Sequence, residues 1–249
     1  MKNILILQFR KHTEHIVDEV RIYTRAFQHL PVTLTFRSAF HDGLDLKSPD
    51  LLCVEVDAII LGGSGDLFFD GGLDAAHEAV ACSCNFARTH APLFDYITQT
   101  NMPLLGICFG HQIFAHFAGV RVHNDLSQAK MGSHTIMLTD EGRNDPLFAG
   151  LPPSFAVQYG HKDSLSEMPL HATLLASGKQ CKYSALRLGP KRYSLQFHPE
   201  LTGEDIRSRC AKNPAYLPKG STVENAICES PHASHILDNF VYLIMYGDK

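Results

Sequence analysis

Cys108 stands between Gly106 and Gly110 in the run PLLGICFGHQ, where an apolar strand-like stretch passes into a helix-like one. Gly-x-nucleophile-x-Gly at a strand-to-helix bend is a nucleophile elbow. Its small residues let strand and helix approach closely, and the bend projects the central side chain beyond the carboxyl end of a sheet. The helix N-terminus behind it offers unpaired N–H groups and positive potential, which favour a thiolate and can hold a developing oxyanion. A thiolate of this kind calls for a base. In LQFHPEL, His198 and Glu200 are two residues apart, and at a strand end the alternation of side chains puts both on one face. A carboxylate beside an imidazole sets its tautomer and stabilises the imidazolium, as in any nucleophile–base–orienter triad. The third element is the glycine-rich turn of IILGGSGDLF, Ile59–Phe68, which follows a strand. It lacks both Gly-x-Gly-x-x-Gly and a terminal Gly-Lys, which excludes the dinucleotide and phosphate-loop readings. Its backbone N–H groups can still face an oxyanion, because glycine permits close approach. Taken singly, each element also fits a structural role: a buried thiol in a tight turn, a chance His-Pro-Glu, a tight loop. Downstream of a cysteine elbow, however, His-Pro-Glu becomes much less accidental.

The elements that must position these residues read as repeated β-α units. NILIL (Asn3–Leu7), VTLTF (Val32–Phe36), DAIILGG (Asp57–Gly63) and PLLGI (Pro103–Ile107) have strand length, and an amphipathic segment from Glu14 to Leu30 separates the first two. The continuous apolar runs suit parallel strands covered on both faces. After Gly119 the texture changes to close-set strands (HTIML, FAVQYG, TLLAS, YSALRLG, RYSLQFHP), which predicts a small mixed or antiparallel extension. The tail SHILDNFVYLIMYG has a helical apolar face. The class expected is therefore α/β, with a mostly parallel central sheet.

At 249 residues the chain can bury one sizeable core, and residues 1–249 read as one domain without internal repeats. The stretch 202–234 is longer than such a core needs, and reads as a helical insertion near the active-site mouth. A net charge of −4 leaves no basic footprint for nucleic acid or anionic lipid. The N-terminal apolar run is too short for a signal-peptide core or a membrane span, so the expected setting is cytoplasmic. Seven cysteines, an odd number, do not suggest a disulfide framework. Cys82 and Cys84 are too close for a zinc knuckle and lack a second pair, so no metal and no cofactor are expected.

The ordered set ILGGSG, GICFGHQ and SLQFHPE resembles the class I (triad) glutamine amidotransferase family. It is similar in particular to the freestanding "GMP synthase-like" members, which include γ-glutamyl peptidases. The resemblance implies a flavodoxin-like fold with helices on both sheet faces, and cleavage of a γ-glutamyl amide through a γ-glutamyl thioester. It implies Cys108 as nucleophile, His198 as base and then acid, and Glu200 as orienter. The backbone N–H groups of Gly63 and Phe109 would form the oxyanion hole. Gly65, Gln112, Gly160, His161 and Asp163 would contact the substrate. Gly160 and Lys162 depart from the family's usual residues, as does Lys130, which stands where an acidic residue is common. His111, a rival base, lies on the helix that the elbow points away from and reads as a supporting residue. Two enzymatic readings follow: a hydrolase acting on glutamine or another γ-glutamyl small molecule, or a glutaminase delivering ammonia to a separate synthetase partner. A non-catalytic binding module is a third reading, which the complete set of reactive residues disfavours.

Overall fold

A computed structural model describes residues 1–43, 48–179, 181–212 and 222–247. The first part of the chain alternates strands and helices: β1 (Lys2–Gln8), α1 (Thr13–Phe27), β2 (Val32–Ser38), the short α2 (Pro49–Leu52), β3 (Ala58–Leu61), α3 (Glu78–Thr89), α4 (Ala91–Gln99), β4 (Leu104–Ile107) and α5 (Phe109–Phe117). Strands then predominate: β5 (Val122–Asn124), β6 (Lys130–Leu138), the short α6 (Asp140–Arg143), β7 (Ser154–His161), β8 (Asp163–Leu165), β9 (Thr173–Gly178), β10 (Ala185–Gly189) and β11 (Arg192–Leu195). Three helices follow: α7 (Gly203–Lys212), α8 (Val223–Ala226) and α9 (Pro231–Tyr246).

The strands form one sheet in the order β2-β1-β3-β4-β11-β10-β9-β6-β7, and β5 pairs with β8 in a separate ribbon. From β2 to β11 the pairing is parallel; from β11 to β7 it is antiparallel. This is the α/β architecture expected, with its antiparallel extension grafted onto β11. Alternation along β1 shows why its apolar run is continuous. Ile4 and Ile6 pack with Tyr23 and Phe27 of α1 and with α9, while Leu5 and Leu7 pack with α3, α4 and α5 on the opposite face. Full burial of each such aliphatic side chain contributes about 1.5–3 kcal/mol.

Within 202–234, α7 and α8 are helical and α9 begins at Pro231; residues 213–221 lie outside the described residues. Ile206 and Cys210 of α7 pack with Ile22, Leu201 and Ile227 in a small apolar cluster of their own. Among the described residues no helix is long and apolar enough to cross a membrane.

Candidate active site

The three reactive stretches converge because they leave the carboxyl ends of adjacent parallel strands. β4 is flanked by β3 and β11, with Gly106 beside Leu61 and Ile107 beside Leu195. Cys108 follows β4 immediately, with φ 53° and ψ −99°. For a residue with a side chain this is strained backbone, which costs about 1–3 kcal/mol and persists only where the surroundings enforce it. The enforcement is visible on both sides. The Cys108 N–H donates to Leu195 O (2.8 Å), and the Gly110 N–H donates to Gly62 O (3.1 Å). A Cβ on Gly110 would lie 2.1 Å from Leu61 O, and one on Gly106 would lie 2.7 Å from Gly110 O. Glycine at both positions is therefore a packing requirement.

The glycine turn after β3 closes over the same point. A Cβ on Gly63 would sit 2.9 Å from His198 Cε1 and 3.5 Å from Cys108 Cβ. The N–H groups of Gly63 and Phe109 have no hydrogen-bond partner among the described residues.

His198 and Glu200 come together by a different route from strand alternation. β11 ends at Leu195, and both residues lie in the bend and turn beyond it. The His198 backbone N–H donates to Gln158 O on β7 (2.8 Å), an isolated antiparallel bridge that holds the backbone at this position. The turn through Pro199 brings Glu200 Oε1 to 2.6 Å from His198 Nδ1. Both side chains are buried, and the Cys108 sulfur lies 3.9 Å from Gly160 O of β7. Burial by itself lowers the His198 pKa, but the negative charges of Glu200 and Cys108 outweigh it and raise the value to about 9. The imidazolium is thus the favoured form at neutral pH.

Two ion pairs that the sequence did not announce brace this centre. Arg25 of α1 donates from both terminal nitrogens to the carboxylate of Asp205 in α7, and from Nη2 to Glu200 O (3.3 Å). The turn that carries Glu200 is thereby tied to two helices. Arg10, just past β1, is paired with Glu19 of α1 at 3.1 Å, and both are almost fully buried. Burial raises the Glu19 pKa more than the Arg10 charge and the Gln8 hydrogen bond lower it. The only sequence signals were a cation at a strand end and an acid on the apolar face of a helix, and neither named its partner. A crevice opens beside His198, and Arg10, Gly65, Gly160, Ile206 and Arg209 contribute to its lining.

The model of the glutamine amidotransferase class-I family matches residues 24–216, more than half of the chain. The chain belongs to this family. It is 34% identical over 216 residues to a GMP synthase [glutamine-hydrolyzing] of Thermosipho melanesiensis, covering 86% of this chain but only 35% of that protein's length. It is 33% identical over 125 residues to a GMP synthase [glutamine-hydrolyzing] subunit of Pyrococcus abyssi, covering 48% of this chain and 64% of that one. Among solved structures, a glutamine amidotransferase of Thermotoga maritima superposes with a TM-score of 0.66 at 17% identity, over 98% of each chain. At such an identity the structural likeness establishes the fold.

The residues expected from the family resemblance to contact substrate divide into two groups. Gly65 and Gly160 line the crevice. Gln112, His161 and Asp163 are buried and bonded within the chain, although His161 Nε2 has no hydrogen-bond partner among the described residues. The Asp163 carboxylate accepts the N–H groups of Phe69 (2.9 Å), Asp70 (3.0 Å) and Gly71 (2.6 Å), which holds the end of the glycine loop against β8. Gln112 Nε2 donates to Asp163 O (2.8 Å) and to Gln196 Oε1 (3.2 Å). His161 Nδ1 is 2.9 Å from Asp163 O, and burial lowers its pKa to about 4. None of these three is among the residues that line the crevice. His111 lies below the elbow, 2.8 Å from Ser194 Oγ of β11, and burial lowers its pKa to about 3. Of the family departures, Lys130 is buried with Nζ 5.3 Å from the Tyr159 ring centre, and Lys162 Nζ lies 5.4 Å from that of Phe68.

Proposed function

We propose that the chain hydrolyses the side-chain amide of glutamine or of a related γ-glutamyl compound, with Cys108, His198 and Glu200 as its triad. The observation that carries the reading is the buried His198–Glu200 pair, 2.6 Å apart, set against a cysteine held in strained backbone at an elbow. The Cys108 thiolate attacks the γ-carbonyl carbon, and the oxyanion is received by the unpaired N–H groups of Gly63 and Phe109. Collapse breaks the C–N bond, and the leaving nitrogen takes a proton from the His198 imidazolium. Neutral His198 then removes a proton from water, which attacks the γ-glutamyl thioester and releases glutamate and the Cys108 thiolate. Residues 1–249 act as one amidotransferase domain in this reading. The stretch 202–234 supplies part of the crevice mouth through Ile206 and Arg209 of α7.

Incubation of the purified chain with glutamine and a panel of γ-glutamyl amides, followed by assay of glutamate, tests the reading; unaided release is the expected result. The relatives named as glutamine-hydrolysing GMP synthases support a second reading, in which ammonia passes to a separate synthetase. A chain inert toward every γ-glutamyl compound, yet active once a synthetase is added, establishes that second reading in place of the first.

The charges around His198 add a pH test. With its pKa near 9, kcat/KM declines as pH rises through about 9, because the proton destined for the leaving nitrogen is lost. Glu200→Gln is nearly isosteric and removes a charge that sustains the imidazolium. It shifts that alkaline limb to lower pH and lowers turnover by about 10²- to 10⁴-fold. An unmoved limb in the pH–rate profile assigns Glu200 a structural role only.

A further inference from the structure

The crevice beside His198 carries two guanidinium groups that the hydrolytic chemistry above does not use. Arg10 is 8% exposed. Its Nε and Nη2 both lie 3.1 Å from Glu19 Oε1, so Nη1 and the second hydrogen of Nη2 have no partner among the described residues. Nη2 is 3.6 Å from the point where a side chain on Gly63 would begin, the same point that lies 2.9 Å from His198 Cε1 and 3.5 Å from Cys108 Cβ. Arg10 Nη2, His198 Cε1 and Cys108 Cβ thus all lie within 3.6 Å of one point beside the glycine turn. Arg209 lines the same crevice from α7, three residues beyond Ile206. Its neighbour Arg207 is paired with Glu204 and Glu229, whereas Arg209 has no hydrogen bond or ion pair among the described residues. The remaining lining described includes no aspartate or glutamate.

We propose that Arg10 and Arg209 form a carboxylate-binding subsite on the leaving-group side, so that the preferred substrate is a γ-glutamyl amino acid or peptide with an acidic leaving amine. This rests on the γ-glutamyl hydrolase reading and specifies its substrate class. The leaving nitrogen collects its proton from His198, so the leaving group passes into the crevice that His198, Arg10 and Arg209 line together. In an amino-acid leaving group the carboxylate is two bonds from that nitrogen, and a guanidinium edge offers it paired donors. Ammonia, the leaving group of glutamine, makes no use of either arginine. Burial of Arg10 strengthens the discrimination, since a desolvated cation binds an anion more firmly than an exposed one.

γ-Glutamylglycine and γ-glutamylglycinamide differ only in the carboxylate at issue. Calorimetric titration of the Cys108→Ala chain with each reads the subsite without turnover. The acid binds about 10- to 100-fold more tightly than the amide, the range for a charge-assisted hydrogen-bonded pair. Arg209→Met in that background reduces the ratio at least threefold. Arg10→Met combined with Glu19→Met, which leaves no unpaired buried charge, abolishes it. If the double change does not fold, the Arg209 arm still decides. Equal affinity for the two compounds, or binding of neither, overturns the proposal. So does equal weakening of both by Arg209→Met, which would place the arginine on the carboxylate of the γ-glutamyl unit itself. Glutamate release by the unsubstituted chain is measured separately: its absence from every compound overturns the hydrolase reading, while the affinity ratio still decides the subsite.

Discussion

Cys108→Ala leaves a folded chain whose release of glutamate from γ-glutamyl amides is about 10⁵-fold or more below that of the original, the scale for loss of a triad nucleophile. The change removes one sulfur atom and keeps the Cβ, so the elbow and its hydrogen bonds to Leu195 and Gly62 persist. No other cysteine occupies comparable surroundings. Burial raises the pKa of Cys53, to about 11, and also raises those of Cys181 and Cys210, holding all three as neutral thiols. Cys82, inside α3, is half-buried, and Cys84 and Cys228 are exposed. A glutamine-like diazoketone therefore adds once to the original chain, and peptide mapping finds it on Cys108. Addition to Cys82, Cys84, Cys210 or Cys228 in its place, or retention of turnover by the alanine variant, refutes the assignment of the nucleophile.

Gly110→Ala produces a large loss of stability for a single added methyl group. The new Cβ would stand 2.1 Å from Leu61 O and 2.7 Å from Leu61 Cβ, and backbone cannot rotate aside as a flexible side chain can. Relief requires α5 to move away from β3. Overpacking of a close contact costs about 1–3 kcal/mol and more when backbone must shift, so a loss of about 3 kcal/mol or more is expected. Urea unfolding measures it. Gly160→Ala is the matched control: the nearest atom to its Cβ would be Met131 Cε at 4.0 Å, and stability should change by less than about 0.5 kcal/mol. A Gly110→Ala chain as stable as the control would mean that strand and helix approach less closely than described. Turnover falls with stability at Gly110, because displacing the start of α5 carries Cys108 away from His198.

The elbow was legible in the sequence because its cause is local. A nucleophile flanked by glycines at the join of an apolar strand and a helix has few other uses, and the strain at Cys108 follows from the same short stretch. The continuous apolar runs of β1, β3 and β4 were legible for a related reason: a strand buried on both faces shows no alternation, and parallel sheets bury both faces. The geometry of His198 and Glu200 was less legible. Their spacing suggested strand alternation, but β11 ends at Leu195, and the pair is set by a bridge to Gln158 and a turn braced by Arg25.

What the sequence by itself determined was the inventory: a cysteine at an elbow, an imidazole with a neighbouring carboxylate, a glycine-rich turn, and the strand and helix periods that carry them. Only the tertiary structure decided which of these face the crevice and which are consumed inside the protein. Asp163 and the loop it holds are over ninety residues apart, and Arg25 and Asp205 are 180 apart. Arg10 and Glu19 are close in sequence, yet only the packing of α1 against β1 buries them together beside the reacting atoms. A residue type states what bonds a side chain can make. Which bonds it does make depends on which distant groups the packed sheet and helices bring within about 3 Å, and that is a property of the whole fold.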